Sequence, residues 1–257
     1  MTKIPPVVPP LPIERPYARD LEPFTWLREG WRDLVTNPGP SLLYGVFVFL
    51  LSAGIVAGLI WLALDYVLFP AIAGFLVFAP ALAIGLYEKS RALELGEPVS
   101  LRHMFLPHAR AGGQVLFIGA MLCGVMLLWM RAAVIVYALF FGVRPFPGID
   151  HIAEMLFTTS TGIAMLVVGT LIGGLFAAFS FAISAFSIPM MLDKRVDAMT
   201  AMGTSWALVW NNLHVMLIWG AIVLGLFLLS VATGFLGLII VYPWLGHATW
   251  HAYRAAR

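Results

Sequence analysis

Cysteine is all but missing from this chain. Cys123 is the only one among 257 residues, so disulfide frameworks, paired-thiol redox centres and iron-sulfur ligation are excluded. It sits in an apolar run and reads as a small buried hydrophobe. Charge is nearly as scarce: Asp, Glu, Lys and Arg make up 11% of the sequence against 61% hydrophobic residues, with a mean hydropathy of +0.93. That leaves too little polar surface to cover a soluble domain of this size. The formal net charge of +2 is too small to argue for a nucleic-acid partner. There is also no P-loop, no glycine-rich dinucleotide turn, no G-x-S-x-G elbow and no aspartate pair within an apolar run. The sequence therefore points away from an enzyme.

Long apolar runs are what it has. A bilayer core of about 30 Å takes roughly 20 residues of helix to cross. Runs over 42–64, 66–87, 114–141 and 156–192, with 213–253 divided at Ala232, Thr233 and Gly234, predict six spans. The fold expected is all-α and polytopic, six transmembrane helices arranged as three hairpins. Asp65 marks the turn of the first hairpin. Gly54 and Gly58 on the first span, and Gly169, Gly173 and Ala177 on the fourth, read as small-residue stripes for close helix packing. Residues 1–22 stand apart as a proline-rich disordered tail, with six prolines between Pro5 and Pro16 and no apolar core of signal-peptide type. Such a segment favours polyproline II; P-V-V-P at Pro6 to Pro9 reads either as a ready-made ligand or as a plain leader. Residues 23–257 form the transmembrane domain.

Each hairpin is preceded by an expected cytoplasmic interfacial amphipathic helix. Phe24, Leu27, Trp31, Leu34 and Val35 fall on one side of the first, opposite Thr25, Arg28, Glu29, Arg32 and Asp33, before N-P-G-P at Asn37 to Pro40 redirects the chain. The second is a short segment at Leu101 to Phe105 with Ser100 as its cap. The third has Val196, Met199, Met202, Trp206, Val209 and Trp210 on one face.

These elements recur in the same order, giving repeat units at about 23–87, 98–192 and 193–257. The second helix of each hairpin carries a proline shortly before a charged end: Pro80 before Glu88 and Arg91, Pro189 before Asp193, Lys194 and Arg195, Pro243 before His251 and Arg254. Six spans place every one of the 15 Lys and Arg residues on one side except Arg131 and Arg144. By the positive-inside rule that side is cytoplasmic, with both termini on it.

P-M-M-L-D-K-R-V-D-A-M at Pro189 to Met199 and G-F-L-G-L-I-I-V-Y-P-W-L-G-H-A-T-W-H-A-Y-R at Gly234 to Arg254 resemble the hallmark segments of a family of uncharacterised proteobacterial integral membrane proteins, domain of unknown function 2189. The resemblance runs from about Trp26 onward and leaves the proline-rich tail outside. It implies a six-helix protein of the bacterial inner membrane and brings no activity and no catalytic residues. Relatives labelled as respiratory-oxidase components point to a respiratory assembly as one class of partner.

The residues able to carry chemistry are few. His247 and His251 lie four apart on the last span, with His214 entering the fifth at a similar depth, so the three could serve a haem or a metal, or act as interfacial hydrogen-bonding groups. H-A-T-W-H has Ala248 where a zinc protease needs glutamate, which excludes that mechanism. Asp193, Lys194, Arg195 and Asp197 form a charged anchor suited to a helix cap, a lipid headgroup or a partner. Asp65 and Arg131 lie toward the outer side as a candidate ion pair. Serines at 180, 184 and 187 are expected to bond back to their own helix. Three function classes remain open: a non-enzymatic scaffold or accessory subunit of a larger membrane complex, a small transporter or channel, and a haem- or metal-linked redox component.

Overall fold

The computed structural model describes residues 22–106, 112–142, 146 and 148–256. The proline-rich tail, and Arg144 with most of its loop, lie outside the described residues, as does the Asp65 side chain and with it the expected pair to Arg131. All regular structure among the described residues is helical: α1 (Pro23–Val35), α2 (Pro38–Trp61), a 3-10 turn at Asp65–Val67, α3 (Leu68–Leu82), α4 (Ile84–Leu95), α5 (Leu101–Phe105), α6 (Gly112–Phe141), α7 (Ile149–Thr158), α8 (Ser160–Ser184), α9 (Ser187–Asp193), α10 (Ala198–Asn211), α11 (Leu213–Ala232) and α12 (Leu238–Ala255).

Five stretches are long and apolar enough to cross a membrane: Pro38–Trp61, Leu68–Leu95, Gly113–Phe141, Ser160–Asp193 and Leu213–Ala232. The sixth expected span, α12, is not among them. Its second half carries His247, His251 and Arg254, and its position in the fold accounts for that. Helices α1, α2, α4, α9 and α11 all pack against it, and ten of its 18 residues are buried, whereas the five apolar stretches are 17–28% buried. A helix enclosed by protein has no need to be apolar on every side, because its polar groups find partners rather than lipid.

Two expected spans are interrupted. Pro80 supplies no amide proton, and three residues on the chain tightens so that the Ala83 N–H bonds Pro80 O and the Leu86 N–H bonds Ala83 O. This releases the carbonyls of Ala79 and Leu82. Neighbouring helices meet them: the Tyr242 hydroxyl donates to Ala79 O at 2.8 Å and the Tyr44 hydroxyl to Leu82 O at 2.6 Å. The second break falls between α8 and α9, just ahead of Pro189. There Ser205 of α10 replaces a missing helical bond, its Oγ accepting from the Phe186 N–H at 3.1 Å and donating to Ala182 O at 2.7 Å. Ser184 and Ser187 bond back within their own segment, to Ser180 O and Ile183 O, while Ser180 reaches across to Val77 O at 2.9 Å.

Close helix approach occurs elsewhere than at the expected stripes. A Cβ on Gly54, Gly58 or Gly169 would meet nothing within 4 Å, and one on Gly173 would meet the Trp129 ring. The tight crossings are α1 on α12, where a Cβ on Gly30 would stand 2.5 Å from the Ala248 nitrogen, and α2 on α12, where one on Gly45 would stand 2.2 Å from Ile239 O. Spacing reveals that small residues share a face; it does not reveal which face meets a neighbour.

The two longer helices expected at the interface divide their apolar faces between protein and surroundings. Helix α1 buries Trp26, Gly30, Asp33 and Leu34 and leaves Phe24, Trp31 and Val35 exposed. Helix α10 buries Ala198, Ala201, Met202, Ser205 and Val209 and exposes Met199, Trp206 and Trp210. In both, small and polar residues face protein alongside a few large apolar ones, and the remaining large apolar residues face outward, as suits lipid surroundings. Ser100 occupies the N-cap position of α5 without a side-chain capping bond.

Candidate functional site

The sequence runs α1 directly into the N-P-G-P turn, and the turn delivers α2 against the far end of α12. Asn37 adopts a left-handed conformation (φ 53°, ψ 71°), which asparagine tolerates better than most residues. Its carbonyl accepts from Lys89 Nζ of α4 at 2.9 Å. Lys89 also donates to Ser41 Oγ of α2 at 2.8 Å. Ser41 Oγ lies 2.9 Å from His247 Nε2, and His247 Nδ1 lies 2.8 Å from Ser90 Oγ of α4. Asp33 of α1, whose Oδ2 is 2.8 Å from His251 Nε2, lies near enough for Ser90 and both histidines to act on its charge.

An ammonium can only donate, so Ser41 accepts from Lys89. Each ring nitrogen of His247 is hydrogen-bonded to a serine, Nε2 to Ser41 and Nδ1 to Ser90. The result is a line of bonds from the Lys89 cation through Ser41 and His247 to Ser90, which stands beside the Asp33 carboxylate, and His251 bonds that carboxylate from the other side. Lys89, Ser90, Ser41 and His247 are no more than 1% exposed. Asp33 sits outside the apolar stretches. Burial works against its charge, but hydrogen bonds from His251 and Ser90 and the nearby histidines outweigh that and hold its carboxyl below the ordinary value of 3.8.

A second tier of polar contacts surrounds the chain at the same end. Arg91 forms a two-point pair with Glu88, at 2.9 and 2.7 Å. Arg254 pairs with Glu94, which also accepts from the Trp250 indole at 3.2 Å. The Tyr253 hydroxyl donates to Asp193 at 2.7 Å. Asp197 accepts from the Thr200 N–H at 2.9 Å and so caps α10, and Arg195 is exposed. Arg131 is exposed partway along α6.

Of the three histidines singled out from sequence, the structure brings His247 and His251 into this network and leaves His214 exposed in the first turn of α11. Both ring nitrogens of His247 are engaged by serines. Among the described residues no group of three or more His, Cys, Asp or Glu side chains is arranged to hold a metal ion. Sequence reasoning missed Asp33, Ser41, Lys89 and Ser90 as members. Asp33 read as the solvated side of an amphipathic helix and Lys89 as a charge marking a span end, and only the N-P-G-P turn hinted that α1 is folded back onto the bundle.

A bundle of five long apolar helices with a buried polar network at one end is the framework of a multi-pass integral membrane protein. The family described as predicted integral membrane protein (DUF2189) matches residues 68–193, and the chain is similar to that family over this stretch. The match covers α3 to α9, including Lys89 and Ser90 but none of their partners on α1, α2 and α12. No curated protein and no solved structure matches the chain.

Proposed function

We propose that this protein is a non-enzymatic scaffold or accessory subunit of a larger assembly in the bacterial inner membrane. In this reading six helices cross the bilayer as three hairpins with both termini cytoplasmic, and α1, α5 and α10 lie in the cytoplasmic interface. The observation that carries it is the inward turn of the buried network: Lys89, Ser41, His247, Ser90, Asp33 and His251 all bond protein neighbours. A transport path or reaction centre wants polar groups free for a passing ligand; a clamp wants them used. The outward faces of α1 and α10, with Trp31, Trp206 and Trp210, suit contact with headgroups or a neighbouring subunit.

The carrier reading stands second. It rests on the helix interruptions at Ala83 and Ala185, since broken helices at matching places in internal repeats are where carriers bind. Affinity purification of the full chain in mild detergent, from membranes of respiring cells, separates the two. A membrane partner recovered at fixed stoichiometry through a salt wash supports the subunit. A chain that migrates alone in native gels, with no partner enriched over a control membrane protein, overturns it.

A further inference from the structure

Three interface helices dock in a consistent way: α5 packs on α4, α10 on α8 and α9, and α1 on α12. Two of the long helices follow the same rule, α6 packing on α3 and α2 on α12. The third instance would be α11 on α8, and no comparable packing is made there. Instead an apolar cleft of about 100 Å³ opens between them. Helix α3 lines it with Phe75 and Ala79, the α8–α9 junction with Ala185, α11 with Trp219 and Phe227, and α12 with Tyr242. Phe75 and Phe227 stack nearly parallel within it, ring centroids 5.5 Å apart.

Tyr87 also lines this cleft and is 2% exposed. The two other tyrosines at the α3–α4 break spend their hydroxyls on backbone carbonyls, Tyr44 on Leu82 O and Tyr242 on Ala79 O. The Tyr87 hydroxyl has no hydrogen-bond partner among the described residues. Buried tyrosine hydroxyls ordinarily find one, because leaving it unmade forfeits the full solvation of the group. The cleft thus combines an apolar channel with two donors unspent on the described residues, the Tyr87 hydroxyl and the Trp219 indole.

We propose that the cleft is a binding site for an apolar chain headed by a carbonyl oxygen, taken up sideways from the bilayer, with the carbonyl accepting from Tyr87 and the chain lying toward Phe75 and Phe227. Its size fits part of such a molecule. An apolar cavity of about 150 Å³ holds a benzene ring, so this one takes a ring or a few methylene groups while the remainder lies along the open side. Two membrane components have this chemistry, the acyl ester of a phospholipid and an isoprenoid quinone. The site is independent of the scaffold reading and survives its failure.

The test uses the full chain in nanodiscs doped either with a phosphatidylethanolamine carrying a photoreactive acyl chain or with a photoreactive isoprenoid benzoquinone. Crosslinks are mapped by mass spectrometry in the wild type, Tyr87→Phe and Val223→Trp. Val223 lines the cleft, and a tryptophan there fills it. Labelling of 75–87 or 219–227 by one probe, reduced about fivefold in Tyr87→Phe as the loss of one hydrogen bond implies, and abolished in Val223→Trp, supports the site and identifies the source. Labelling by neither probe, or labelling undiminished in a Val223→Trp protein that elutes as a single symmetric peak, overturns it. If Val223→Trp does not fold, Tyr87→Phe decides by the same criterion, since it keeps the ring and its packing.

Discussion

The residue that most constrains this molecule is Lys89, a cation almost completely withdrawn from solvent and held by a backbone carbonyl and a serine rather than by direct contact with an acid. Taking a charge out of water costs several kcal/mol unless its bonds are fully made. Asn37 O and Ser41 Oγ take two of its three N–H groups, and Ser41, His247 and Ser90 lead on from it toward the Asp33 carboxylate. Asp33 offers a measurement on this arrangement. Its carboxyl titrates below the ordinary 3.8 in the folded protein, so its contribution is complete above that value and is lost as the pH falls from there through the lower folded value. Thermal unfolding in detergent should show the wild type losing stability over that acid range. Asp33→Asn should start lower at neutral pH, by about 1–3 kcal/mol, and lose less on acidification. Parallel curves for the two proteins would remove Asp33 from the network.

Among the elements, the interruption between α8 and α9 is the one with an identifiable repair. Ser205 stands in for a helical bond by accepting from Phe186 and donating to Ala182, so Ser205→Ala leaves a buried donor and a buried acceptor without partners. The cost should be about 1–3 kcal/mol, read as a lowered unfolding midpoint. Ser205→Thr, which keeps the hydroxyl, should recover most of it; equal losses in the two would point to packing instead. Such a repair is invisible in sequence, where Ser205 is one polar position on a helix with several. The proline pattern and the element order were legible, because Pro80, Pro189 and Pro243 act locally through a missing amide. Which residues of α1 and α10 pack on protein was not: Gly30, Asp33 and Ser205 face in together with Trp26 and Met202, while Phe24, Trp31, Met199 and Trp210 stay exposed. Hydropathy likewise counted α12 as one span among six, though its histidines mark it as the helix the others surround. The candidate site was legible only as His247 and His251, since Asp33, Ser41, Lys89 and Ser90 reach it from distant parts of the chain.

At the scale of the whole molecule, the number of crossings is decided by α12. Counting it gives six spans and brings both termini to the basic side; leaving it out gives five and separates them. Fusions settle the matter. Green fluorescent protein should fluoresce at either terminus and alkaline phosphatase should be inactive at both, while an active phosphatase at the C-terminus with a fluorescent N-terminal fusion would establish five crossings. The enclosure of α12 also bears on how the protein is made. Helices α1, α2 and α4 emerge and enter the membrane long before α12 is translated. Until it arrives, Ser41 and Ser90 lack the imidazole that joins them and Asp33 lacks His251. A half-made chain therefore carries an ammonium and a carboxylate without their bridge, held in suspense at the bilayer edge. Completion of synthesis, rather than placement of the apolar helices, is the moment at which this network can close.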